Sequence, residues 1–214
     1  MIKILLSFFI LFLFSACSFK QAPNEWQYKS VNAFDSYTKN FLSSYDKIAK
    51  ADLKRSIAHA KQGVDLKTLS QIYLAKCALN ISVGIKDECK EFQEISSLHK
   101  DPNLDAYFAF LQQKDPYDVD KLDPLYQKFA SKLKANDYKG ANEAILNISK
   151  PTSKLLAAAL IRDRLTTTTR DEMISTASFN GYKKSALFWL NEKLLYIKDD
   201  TEKERLIKKI EVLK

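Results

Sequence analysis

Glycine and proline are scarce in this chain, at four and five residues among 214. An all-β sandwich needs turn residues at short, regular intervals, so this scarcity excludes one and favours helices joined by short turns. Histidine occurs only twice, at His59 and His99. A metal site needs several convergent ligands, so no metal site is expected at either. The chain has no glycine-rich phosphate loop, no HExxH, no GxSxG and no paired Cys/His spacing. Carboxylates are plentiful, but Glu25, Asp35 and Glu143 stand out no more than their neighbours, so no catalytic residue and no cofactor is predicted. Charge of one sign does not dominate either. Thirty-four Lys and Arg lie among twenty-six acids, for a net +8, and they form no basic stripe. Nucleic acid is therefore not an expected partner; a dispersed lysine excess speaks for solvation or attraction to an anionic surface.

Long apolar runs are missing except at the start. Ile4 to Phe14 is apolar apart from Ser7, preceded by Lys3 and followed by Ser15-Ala16-Cys17. A charged start, an apolar run and small residues before a cut are the parts of a secretory signal. The run is about half the roughly twenty residues that span a bilayer, so residues 1–16 are expected to be removed.

The stretch Phe14-Ser15-Ala16-Cys17 resembles the lipobox of bacterial lipoproteins, with Phe14 where leucine is usual. The resemblance covers the first seventeen residues. It implies a diacylglyceryl group on the Cys17 thiol, cleavage before Cys17 and acylation of the new N-terminus. Two or more acyl chains anchor a protein stably, whereas one binds marginally. Position 18 is Ser rather than Asp, which in that family implies the outer membrane, with the chain facing the periplasm. An ordinary signal peptide with a coincidental cysteine is the alternative. Residues 17–24 then read as a lipidated N-terminus and tether, and residues 25–214 as one helical domain.

Cys77 and Cys89 remain. An exported chain meets an oxidising compartment, where a lone pair of cysteines bonds readily. Leu66, Leu69, Tyr73 and Cys77 share one helical face; Ile85, Cys89, Phe92 and Ile95 share another, with a turn near Val83-Gly84. Both cysteines then sit at similar depth from the turn of an αα-hairpin, and a disulfide is predicted. Two packed thiols are the alternative.

From Asn24 onward the pattern is all-α. Residues 31, 34, 37, 41, 45 and 48 form a stripe predicting one helix from Trp26 to Ile48, with a second over about 51–62 before Gly63. Asp65 is expected to cap the helix carrying Cys77. Asp101-Pro102 and Asp123-Pro124 are expected to open helices, and Asp115-Pro116 to lie in a loop. Pro151 opens a helix predicted to reach Arg164. Thr169 with Glu172 fits a capping box. Helices follow over 182–197 and about 201–213, the last a charged helix read as a solvated cap or, less simply, a binding face.

The stretches KLKANDYKGANEAILNISKP (132–151) and ASFNGYKKSALFWL (177–190) resemble the turn and second helix of a tetratricopeptide or Sel1-like repeat. Asp137-Tyr138 and Gly181-Tyr182 fall at the turns, with Ala141 and Ala186 at small-residue positions. The tryptophan and glycine usual in the first helix are absent from both. The resemblance implies antiparallel helix pairs stacked as a short α-solenoid; a non-repetitive helical domain is the alternative.

Aromatic residues crowd both ends: Trp26, Tyr28, Phe34, Tyr37, Phe41 and Tyr45, then Phe188, Trp189 and Tyr196. At helical spacing they are expected to be core, and the other reading is a binding groove. Trp26, just behind the tether, is the candidate for partner contact. The function expected is a lipid-anchored envelope scaffold or accessory subunit that binds a protein partner and is not an enzyme. A cell-wall enzyme, a small-ligand carrier and a surface adhesin remain alternatives.

Overall fold

The computed structural model describes residues 24–214. The predicted signal, Cys17 and the tether up to residue 23 lie outside the described residues. Within them the chain forms α-helices and short 3₁₀ turns, with no strand. In chain order the helices are α1 (Glu25–Leu42), α2 (Asp46–Gln62), α3 (Leu66–Ser82), α4 (Lys90–Ser96), α5 (Pro102–Leu111), α6 (Pro124–Lys134), α7 (Tyr138–Leu146), α8 (Pro151–Leu160), α9 (Thr167–Phe179), α10 (Lys183–Leu194) and α11 (Asp200–Leu213). Consecutive helices pack in adjacent pairs, a solenoid-like all-α arrangement.

Starts and stops follow local chemistry. Asp65, Asp101, Asp123, Asp137 and Asp199 each sit at an N-cap and accept hydrogen bonds from first-turn amides. Pro102, Pro124 and Pro151 occupy first helical positions, where the missing N–H costs nothing. Asp115-Pro116 lies in the loop before α6, as expected.

Several sequence expectations need correction. The helix predicted from Trp26 to Ile48 breaks at residues 43–45, where Ser44 adopts a left-handed backbone, and α2 begins at Asp46 rather than near 51. Val31, Tyr45 and Ile48, read as part of its apolar stripe, are exposed. The packed seam between α1 and α2 is built instead from Ser30, Ala33, Ala49, Ser56 and Ala60. Ser30 Oγ donates to the Ser56 carbonyl at 2.8 Å, and Ser56 Oγ donates back to the Ser30 carbonyl at 2.9 Å. Small side chains let the two backbones approach closely, which a hydrophobic pattern cannot reveal.

The remaining corrections are shifts of boundary. α9 is capped by Thr166, whose Oγ1 accepts from the Thr169 amide at 3.1 Å, so Thr169 sits inside the helix and the box with Glu172 does not form. Helix α8 ends at Leu160, with a 3₁₀ turn over Arg162–Arg164, and α10 is shorter than predicted at both ends. Cys89 lies just ahead of α4, in a left-handed conformation, and not on its face.

The main core runs from α3 to α10 around Phe110, Phe129, Ile145, Leu155, Met173 and Trp189. Phe110 is fully buried, with ring centroids of Tyr107, Tyr117, Tyr126 and Phe129 all between 5.4 and 6.1 Å away.

Two contacts curl the array upon itself. Ser43 Oγ, after α1, donates to the Gly181 carbonyl in the α9–α10 turn at 3.1 Å. Lys184 pairs with Asp46 and lies 4.1 Å from the centre of the Phe41 ring. Gly84, just after α3, has φ +77° and faces Phe188: a Cβ there would come within 2.2 Å of the ring. Only glycine meets both demands.

Candidate functional site

Because the two ends of the array meet, a cleft opens between α1, α3, the start of α8 and the α9–α10 turn. Its volume is about 600 Å³, within the usual range for ligand sites. Phe34, Thr38 and Lys39 line it from α1, Ala75 and Leu79 from α3, and Lys150, Thr152 and Ser153 from the start of α8, with Asn180 and Tyr182 at the far wall. A shallower hollow edged by Val31 and Gln71 continues it along α1, sharing Phe34, Asp35 and Ala75. Together the two hollows form a groove elongated along α1.

Tyr107 and Tyr126 form its floor. The Tyr126 hydroxyl adjoins Ser153 and Tyr107. Burial raises the Tyr107 phenol well above its ordinary value, reinforced by the adjoining Tyr126, and burial raises Tyr126 as well. Both are therefore neutral hydroxyls at physiological pH. At the rim, burial also raises Tyr182.

The charged groups of the groove are Asp35, Lys39 and Lys150. None of the three forms an ion pair among the described residues. Lys150 holds the N-cap of α8 without a side-chain cap, so the first-turn amides there are left to water or a bound group. Asp35 is the one carboxylate among the lining residues. The paired carboxylates that sugar hydrolysis uses are not assembled in this groove.

The residues singled out from sequence fall elsewhere. Cys77 and Cys89 are joined in a disulfide, with Cα atoms 5.3 Å apart, and both are buried and line no part of the groove. Asp87 steadies that loop: it accepts from Asn80 Nδ2 at 2.7 Å and from the Cys89 amide at 2.8 Å. Cys77, Asp87 and Cys89 are also the one grouping of potential metal ligands among the described residues, but bonded sulfurs supply no thiolate. His59 and His99 are not brought together with other ligands there. Trp26 is half-buried and lies over Gly63, where an added Cβ would sit 2.3 Å from the indole; it is not a groove residue. Trp189 is fully buried, and Phe41 and Tyr37 are core, as expected from their spacing, whereas Tyr28 and Tyr45 are exposed.

Sequence reasoning missed Lys39, Lys150, Tyr107 and Tyr126 as a set. They come from four different helices or helix starts, and no local pattern links them.

The buried phenols give a pH prediction. Burial, reinforced by Asp87 and Glu91, raises Tyr37 to about 12, and Tyr107 stands higher than its ordinary value for the same first reason. Unfolded tyrosine ionises near 10. Their stabilising contribution is fully present below about pH 10 and is lost as pH rises through the folded values. Urea unfolding at pH 9 and pH 11 should show lower stability at the higher pH, with phenolate absorbance appearing together with unfolding. Phenolate signal from all ten tyrosines before any unfolding would contradict it.

Comparison with known proteins yields no match: no protein-family model, no curated protein and no solved structure is significantly similar to the chain.

Proposed function

We propose that this chain is a lipid-anchored envelope protein that holds a segment of a partner protein in the groove between α1, α3 and α8. The observation that carries the reading is the groove itself. It is elongated, floored by two neutral tyrosines and edged by charged side chains that form no ion pair among the described residues. Rigid aromatic surface with a few polar groups is what concentrates binding energy at protein interfaces. The lipobox-like stretch ending at Cys17 supports a position at a membrane, facing the periplasm, and the disulfide fits an oxidising compartment.

The test has two parts. A photo-crosslinking residue at Lys39 or Thr152, within the groove, should trap one envelope protein in living cells. The same residue at Glu204, on the exposed side of α11, should not. Equal adducts from both positions, or none from the groove, would overturn the scaffold reading; adducts of glycan or lipid alone would favour a carrier. Separately, Cys17→Ala should release the chain from the membrane fraction and remove the lipid mass. Unchanged attachment and mass would refute the anchor.

A further inference from the structure

The first folded residues end at one pole of the molecule, and that pole carries an unusual set of side chains. Trp26 of α1 packs on Gly63 at the end of α2. Val64 and Leu66 follow directly, leading into α3. Lys67 pairs with Asp101 at 3.7 Å, which brings the Leu98–Asp101 turn to the same pole. Four large apolar residues there face water: Tyr28 (68 % exposed), Val64 (85 %), Leu66 (37 %) and Leu98 (75 %). Val64 also has φ +52°, a left-handed backbone that a β-branched residue adopts only with strain. Fold stability would be better served there by a polar residue or glycine.

Two lysines flank this apolar set in the sequence, Lys61 before Val64 and Lys100 after Leu98. Lys61 and Lys100 form no ion pair among the described residues. Three nearby acids are committed: Glu25 pairs with Lys29 at 2.6 Å, while Asp65 and Asp101 cap α3 and α5. Aromatic and aliphatic side chains flanked by unpaired lysines match the interface of a bilayer, where Trp and Tyr settle at headgroup depth and lysines reach the anionic phosphates.

Chain length selects the same occupant. Seven Cα–Cα steps separate Cys17 from Asn24, a reach of about 25 Å at full extension. The opposite pole, where Ser43 meets Gly181, lies a whole eighteen-residue helix farther away, about 27 Å at the usual rise.

We propose that the pole formed by Trp26, Tyr28, Val64, Leu66 and Leu98 rests on the lipid surface, holding α1 upright and the groove away from the membrane. This inference rests on the lipid-anchor reading. Trp26 acquires a role in it as an interfacial anchor, distinct from partner capture in the groove.

The chain carries its own reporter. Trp189 is fully buried and Trp26 is half-buried, so quenchers in the lipid act mainly on Trp26. The full lipidated chain is reconstituted in phosphatidylethanolamine–phosphatidylglycerol vesicles with brominated acyl chains. Quenching at Trp26 should exceed several-fold that of a tryptophan placed at the far pole by Phe179→Trp. Val64→Glu with Leu98→Glu, both at exposed positions, should cut quenching at Trp26 several-fold while the chain still floats with the vesicles. A chain that floats but shows equal quenching at both poles, or no effect of the glutamates, overturns the surface contact alone. A chain that does not float overturns the anchor reading, and this inference with it.

Discussion

Phe110→Ala should destabilise the fold by about 4 kcal/mol, in the range for a fully buried phenylalanine cut to alanine. The ring is the hub of the aromatic cluster, touching Tyr107, Tyr117, Tyr126 and Phe129. Its removal loses both transfer energy and the contacts of four neighbours, and rings held from several helices cannot collapse inward to fill the void. For a domain of this size the melting temperature should fall by roughly 8–16 °C. Phe110→Leu, which keeps more of the volume, should cost much less, about 1–1.5 kcal/mol. The effect should also reach function, because Tyr107 and Tyr126 form the groove floor. Groove crosslinking should weaken in Phe110→Ala at temperatures where the chain is still folded. Calorimetry of the three proteins checks the first claim; a loss below about 1 kcal/mol for the alanine variant would mean the cluster repacks and is not the keystone described.

Removing the disulfide should rank next. The bond joins residues twelve apart, and closing a loop of that order stabilises by about 3 kcal/mol through the unfolded state. Cys77→Ala with Cys89→Ala should therefore lower stability in urea by that amount. Local structure opposes complete loss of the loop. Asp87 still accepts from Asn80 and from the amide of residue 89, and Gln112 Nε2 donates to the Asp87 carbonyl at 3.0 Å. The expected variant is folded but less stable, with amide exchange accelerated over residues 83–90. No change in urea midpoint would show that the Asp87 hydrogen bonds alone constrain the segment.

The two predictions draw on information of different kinds. The disulfide was legible from sequence. Compartment, cysteine count and a turn near Gly84 were enough to pair Cys77 with Cys89, even though Cys89 stands before α4 rather than on it. Phe110 was not legible as a hub. It lies in an apolar run, NLDAYFAF, in which any residue could have been central. Only the arrival of α6 and the 110–122 loop decides which ring is enclosed.

Helix content and most helix starts were also set locally. Asp-Pro pairs, Asp65, and the Asn136-Asp137 and Asn180-Gly181 turns act through hydrogen bonds and backbone preferences spanning three or four residues. Reading failed where a helix was interrupted without a breaker. No glycine or proline marks the turn at 43–45, and the stripe at 31, 34, 37, 41, 45 and 48 ran straight across it. What bends the chain there is the second helix folding back on Ser30 and Ala33, with serine–serine hydrogen bonds that no periodicity reports.

By itself the sequence determined the all-helical class, the aspartate caps at Asp65, Asp101 and Asp123, the cysteine pair and the expectation of a lipid-anchored N-terminus, because each depends on neighbours along the chain. Tertiary structure alone decided the groove and the exposed pole. Lys39, Lys150, Tyr107 and Tyr126 meet because Ser43 and Asp46 are tied to Gly181 and Lys184, residues 138 positions away. Val64 and Leu98 share a pole because Lys67 reaches Asp101. Such meetings are set by how helices pack and curl, and a packing angle is a property of whole faces rather than of any short run of residues.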